Sequence, residues 1–378
     1  MKMIKKEYMI RFVTPAFLGD AEQKGAWRTP PFKALLRQWW RVLAAGHHAY
    51  DHEKVREEEG QLFGHAWLKA DHSRTWAIKS RVLLRLAQWK GGTLGSWVYT
   101  DPKVNHPEAK RNVGAHLYLG YGPLTYLHGT NLKMKRAIRD GDLAMLQLGF
   151  PHKFGGSLRE TLQLIHWFGT LGGRSRNGWG SFVLEGDGIV GYEALTQNNQ
   201  LLKKISRPFS DCYEREWPHA VGKDDQGLLI WRTKSYKSWS EVMETLAKIK
   251  IDFRTVGLPF NRNQDAKAPR IDERHIVAYP VTHHGVEGWC ETDKRAKLVI
   301  DRRGNLKQKE RLANQIRFKV AHEGEKYFGI IYHLPCKIPS ELSKKLSRDD
   351  RTWITAKERN IWLKVHQQLD NNPLISRI

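Results

Sequence analysis

The sequence predicts an α+β fold in two units. Strand-like and helix-like periodicities interleave in both halves, they are separated by a stretch where periodicity fades, and 378 residues exceed what one hydrophobic core usually serves. With 40% hydrophobic and 27% charged residues, the chain carries enough apolar material to fold.

Residues 4–13 alternate lysines with Tyr8, Ile10 and Phe12, which reads as a strand with one buried face, stopped by Thr14-Pro15. After Pro30-Pro31, the residues Phe32, Leu35, Leu36, Trp39, Trp40 and Leu43 form one apolar helical stripe that Gly46 punctuates, so Trp39 and Trp40 read as core. Residues 75–89 and 113–122 read as strands, and 157–173 as a helix with Ser157 as N-cap, Glu160 three residues on and glycines at its end. Residues 181–186 read as the strand that follows.

Between 186 and 231 the pattern fades, which places a linker there and divides the chain into units 1–190 and 191–378. Beyond it, 238–249 reads as a helix, 311–334 as two strands around "HEGEK", and 355–369 as a C-terminal helix. No repeat of fixed period and no low-complexity tract is visible.

The balance of 63 Lys+Arg against 40 Asp+Glu gives a formal charge of +23, enough to attract a polyanion, and nucleic acid is the first candidate. Three scattered cysteines, Cys212, Cys290 and Cys336, indicate neither a disulfide framework nor a cysteine zinc site, and fit a reducing cytoplasm. The charged opening "MKMIKKEYMIRFVTP" lacks the apolar core of a signal peptide, and no apolar run is long enough to span a membrane, so the expectation is a protein neither exported nor embedded.

Two stretches carry candidate chemistry. In "GGRSRNGWGS", Gly172, Gly173, Gly178 and Gly180 allow positive φ and close approach of an anion to backbone amides. Arg174 and Arg176 add forked donors suited to phosphate, Ser175 and Asn177 neutral ones, and Trp179 a face for a base. The plainer alternative is a helix C-cap followed by a tight turn with solvated arginines. On the helix, Lys33, Arg37 and Arg41 form a basic row with Arg28 ahead of it and no acidic residue between Arg28 and Arg41, although a solvated helix face gives the same pattern.

The pairs His47-His48 and His283-His284 match no metal-ligand spacing. His52, His128, His152 and His333 are available as a general base for RNA cleavage, with nothing to single one out. No Ser-His-Asp order or paired-carboxylate spacing stands out.

The run "VTPAFLGDAEQKGAWRTPPFKALLRQWWRVL", the "LFG" at 62–64 and "LGGRSRNGWGSF" at 171–182 resemble landmarks of the RAMP superfamily of CRISPR systems, specifically the Cmr-one subunits of type III-B effector complexes. "GLPF" at 257–260 and "RLANQIRFKV" at 311–320 are weaker echoes, and Ala313-Asn314-Gln315 stand where that family has a serine-proline step. The resemblance implies two ferredoxin-like (RRM-like) domains, with the glycine-rich loop after the last helix of the first. It implies no cofactor, no catalytic role, and a cytoplasmic subunit near one end of a ribonucleoprotein. Its partners would be CRISPR RNA, the complementary target RNA and other RAMP subunits. The contacts would come from the glycine-rich loop and from Lys33, Arg37 and Arg41. A metal-independent CRISPR RNA-processing endoribonuclease shares fold and loop and is the alternative, but there the loop usually lies near the chain's end. A protein-interaction module whose charge only aids solubility is the third reading.

Overall fold

The computed structural model describes residues 2–66, 77–109, 111–126, 132–262, 269–281, 283–293, 297–300 and 306–378. In the first half, β1 (Met3–Phe12), β2 (Leu83–Leu86), β3 (Leu143–Pro151) and β4 (Phe182–Glu185) form an antiparallel sheet in the order β2-β3-β1-β4. Helices α1 (Thr29–Ala45), α2 (His52–Phe63) and α3 (Ala115–Gly120) precede β3, and α4 (Gly155–Phe168) bridges β3 to β4. Alternation decides the buried face: Tyr8 sits opposite Leu146 and Ile10 opposite Ala144, all four turned inward, while Lys5, Glu7 and Arg11 face out.

The second half repeats the connectivity. Strands β5 (Ile230–Thr233), β6 (Ile316–Glu323), β7 (Lys326–His333) and β8 (Ile375–Arg377) are antiparallel in the order β6-β7-β5-β8, with α5 (Trp239–Ile251) after β5 and α6 (Arg348–Asp370) before β8. In each sheet the fourth strand flanks the first and the third separates the first from the second, the split β-α-β order.

Local chemistry sets the helices. Pro30 and Pro31 occupy the first turn of α1, whose stripe from Phe32 to Leu43 is buried, and Gly46 caps its end. Asp51 caps α2 by accepting from the amides of Glu53 (2.9 Å) and Lys54 (3.3 Å). Ser238 caps α5 and Ser347 caps α6 in the same way, each accepting from the amide three residues on.

Several expectations are corrected. Residues 113–122 are not one strand: a strand ends at Gly114 and α3 follows, because the Asp101 carboxylate accepts from the His116 amide at 2.7 Å and fixes the first turn. Within 75–89 only Leu83–Leu86 is strand, while Thr75 and Trp76 lie outside the described residues. Ser157 is not an N-cap: α4 starts two residues earlier, and the Ser157 hydroxyl donates back to Phe154 O at 3.2 Å. Gly169, not Gly172 or Gly173, caps its end. Strand β5 begins at Ile230, inside the stretch read as a linker, which also holds a helix at Gln200–Ile205 and strands at Ser206–Pro208 and Val221–Asp224.

The halves are joined by burial. Apolar residues from Tyr8 to Leu369 form a continuous core, in which Trp39 of α1 packs on Phe168 (ring centroids 5.3 Å apart) and on Tyr332 of β7 (5.9 Å). The fully buried Lys319 of β6 donates its ammonium to the last carbonyls of α4, Ile165 O at 3.2 Å and His166 O, where the helix dipole is negative. Tyr332 Oη donates to Phe168 O at 2.9 Å.

Candidate nucleic-acid interface

The glycine-rich loop is threaded through the centre of the molecule. Gly172, Gly178 and Gly180 have φ of +93°, +90° and +63°, and Arg174 shares the left-handed region at +58°. A Cβ on Gly180 would stand 1.8 Å from Leu171 O, so packing alone demands glycine there. The amides of Gly173 and Gly180 donate to Phe17 O and Pro15 O, both at 3.0 Å, and those of Ser175, Asn177 and Gly178 donate within the loop. An open cradle of amides for an anion is therefore not what the loop forms; its amides are largely spent on its own fold.

Trp179 is also reassigned. Its ring is fully buried beside Phe17, Trp97, His116 and Trp239, at centroid distances of 5.5 to 5.9 Å, so it is core and offers no free face to a base. Asn177 ties the loop down: its amide group donates to Leu119 O at 2.8 Å and its Oδ1 accepts from the buried Lys250 ammonium at 2.8 Å. Phe318 N donates to Arg176 O at 3.0 Å, which docks the loop on the edge of β6.

What the loop presents is side chains. Arg174, braced by donation from Nε to Tyr121 O at 2.6 Å, and Arg176, which donates to Asn314 O at 3.0 Å, form one wall of a cleft of about 1190 Å³. Lys250, at the end of α5, and Arg254, in the π-turn that continues it, line a second side. Lys307 and Arg311 line a third, on chain that crosses Tyr279 through the Tyr279–Leu312 bridge. Six cationic side chains thus converge from both halves, and among the described lining residues none is acidic.

Crowding shows in the protonation equilibria. Burial, then the neighbouring Arg317, brings the Arg176 guanidinium down to about 10, and burial, then Arg254 and Arg174, holds the Lys250 ammonium well below its ordinary value. Burial, then Arg311, lowers Arg174. An anion entering the cleft relieves this repulsion, whereas a cation or an apolar ligand does not.

The basic row of α1 has another partner. Buried Glu59 of α2 accepts from Arg37 Nε at 2.6 Å and from Arg41 Nη1 at 3.2 Å, so a carboxylate distant in sequence neutralises the row. Lys33, whose ammonium is lowered by burial and then by Arg37, and Arg28, whose buried Nε has no hydrogen-bond partner, do not line the cleft. Arg41 does line a second pocket, of about 690 Å³, together with Arg176. The sequence reading missed Lys250, Arg254, Lys307, Arg311 and the rim residue Tyr121, whose ring is exposed.

The histidines separate by burial. His333 is buried against His366 (2.8 Å) and Gln315 (3.2 Å), far from a catalytic exposure. His48 pairs with Glu58, His284 stacks on Phe260, His52 lines the second pocket, His152 is exposed, and His283 lines the basic cleft. His128 lies outside the described residues. Ser240 Oγ sits 3.0 Å from His116 Nε2 and Asp101 3.9 Å from Nδ1, but His116 is fully buried among tryptophans and its pKa is pushed down to about 3 by burial, so this trio is core. Among the described residues no three His, Cys, Asp or Glu side chains gather as a metal site, and no helix is long and apolar enough to cross a membrane.

No family model and no curated protein matches the sequence. Solved structures do. The chain is similar to Cmr1 from Pyrococcus furiosus in its apo form, at 16% identity over 89% of this chain and 90% of that one, with a TM-score of 0.39. It is similar to a chain of the Type III-B Cmr-beta complex bound to cognate target RNA, at 11% identity over 97% and 100% of the two chains, with a TM-score of 0.41. A chain of a Type IV-B CRISPR complex matches 50% of this chain and 93% of its own length at 12% identity, with a TM-score of 0.31.

Proposed function

We propose that this chain is a non-catalytic, RNA-binding subunit of a type III CRISPR effector ribonucleoprotein, built from two ferredoxin-like domains that hold RNA in the cleft between them. The observation that carries the reading is the convergence of Arg174, Arg176, Lys250, Arg254, Lys307 and Arg311 on one cleft with no acidic residue among its described lining. Such a surface suits a phosphodiester backbone, read by charge rather than by base edges. The CRISPR setting rests on the resemblance of the "TPPFKALLRQWWRVL" and "LGGRSRNGWGSF" motifs, and with it come guide RNA, target RNA and other RAMP subunits as partners.

The test is binding of the purified chain to fluorescent single-stranded RNA, compared with an Arg174→Glu, Arg176→Glu double variant. Loss of affinity with an unchanged unfolding transition supports the reading, and unchanged affinity refutes it. A second reading, a metal-independent endoribonuclease, has one observation in its favour: His283 lines the same cleft. Incubation with repeat-containing RNA in EDTA decides it, since a discrete product that His283→Ala abolishes would make the chain an enzyme.

A further inference from the structure

The second pocket lies between α1, α2 and the segment 214–218, and Arg176 belongs to its wall as well as to that of the cleft. Two of its three carboxylates are in ion pairs, while the third, Glu216, is exposed. Glu59 holds Arg37 and Arg41, Glu214 holds Arg207 at 2.5 Å, and Glu216 accepts from the Ser340 amide at 2.8 Å.

Arg176 and Arg317 belong to neither of those ion pairs. Arg317 is only 6% exposed, its Nε has no hydrogen-bond partner, and among the described residues neither guanidinium is in an ion pair. The buried acidic groups beside them, the Cys336 thiol and the Tyr332 phenol, cannot serve, because burial raises the thiol to about 12 and raises the phenol, leaving both neutral. Two desolvated guanidiniums without counter-charge are costly, and a bidentate anion is the ligand that satisfies both. Exposed Arg56 adds a cation at the mouth. Half-buried Trp217, its Nε1 also without a partner, brings an aromatic ring and a donor to the same wall.

We propose that this pocket is a second RNA subsite, taking one nucleotide of the strand that occupies the cleft, with its phosphate on Arg176 and Arg317 and its base against Trp217. The inference rests on the RNA-binding reading above and adds a path: the strand passes Arg176 from one pocket into the other. A volume of about 690 Å³ admits a nucleotide with room for water.

The test compares a four-nucleotide RNA, long enough for the cleft alone, with a twelve-nucleotide RNA on the full chain. Arg317→Met is expected to weaken the twelve-mer about tenfold and leave the four-mer nearly unchanged. Equal losses for both RNAs, or none for either, overturn the inference while RNA binding by the wild-type chain stands. If the wild-type chain binds neither RNA, the functional reading fails and takes the inference with it. Should Arg317→Met fail to fold, Arg56→Gln with Trp217→Ala carries the same comparison. Photo-crosslinking of a 4-thiouridine twelve-mer to the wild-type chain, mapped by mass spectrometry, is independent of any variant. Adducts are expected in 214–218 as well as in the cleft, and adducts in the cleft alone overturn the inference. Tighter binding of a 5′-phosphorylated twelve-mer assigns the site to a terminal phosphate, and equal binding assigns it to an internal diester.

Discussion

Replacing Arg311 by Gln tests the electrostatic argument most directly, because Arg311 is exposed on the cleft wall and its loss leaves the core untouched. Of the six cationic side chains lining the cleft, Lys250 is tied to Asn177 Oδ1 and Lys307 is paired with Glu291 at 2.9 Å, leaving Arg174, Arg176, Arg254 and Arg311 to meet phosphates. At about −0.7 per contact for a single strand, the log-log dependence of affinity on salt has a slope of about −2.8, and the variant falls to about −2.1. Between 50 and 200 mM salt the wild type therefore loses roughly 50-fold in affinity and the variant roughly 20-fold. The assay is fluorescence anisotropy with a labelled single-stranded RNA across a salt series. Lys357→Gln, at an exposed position on α6, is the control and leaves the slope unchanged. A slope near zero in the wild type, or an equal change in both variants, refutes the assignment of the cleft.

Other predictions address the frame. Glu59→Gln is expected to lower stability by about 2 kcal/mol in chemical denaturation, since it weakens the ties to Arg37 and Arg41. Gly180→Ala is expected to cost more than about 3 kcal/mol, against about 1 kcal/mol for Gly141→Ala, because both have positive φ but only Gly180 would drive a Cβ into a backbone carbonyl. Buried His116 and His166 are held down to about 3 and His366 to about 4, in each case chiefly by burial, so the unfolded chain takes up protons first as pH drops. Their contribution is complete above the ordinary histidine pKa near 6.5 and is lost toward pH 4, about 1.4 kcal/mol per pH unit for each, so the melting temperature falls between pH 7.5 and 5. An unchanged melting temperature over that range contradicts their burial.

The long elements were legible in the sequence because their periodicity is set by one buried face. The strand at 4–13, the helix after Pro30, the hairpin at 311–334 and the C-terminal helix all appear where alternation or the i, i+3, i+4 pattern places them. The errors cluster where a distant group decides. Asp101 turns the run at Ala115 from strand into helix, and no feature within 113–122 announces that. Glu59 neutralises Arg37 and Arg41 from a separate helix, so a search for acids between Arg28 and Arg41 could not find it. The two sheets share one strand order without a sequence repeat, since connectivity constrains only where faces point and not which apolar residue fills them.

The loop shows why composition alone misassigned its parts. Its glycines read as access for a ligand, but they exist so that the chain can thread between Phe17, Leu171 and the edge of β6 with its amides largely paired. Threading then fixes the arginines: with Asn177 anchored to Leu119 O and Arg176 O bonded to Phe318 N, Arg174 lines the cleft and Arg176 its boundary with the second pocket. The same backbone that closes the two halves on each other thus sets the spacing of the charges that an RNA strand would meet. Glycine substitutions here should therefore destabilise the fold and arginine substitutions should weaken binding, and a variant such as Arg174→Gln that loses both together would show that the guanidinium, through Tyr121 O, is part of the frame.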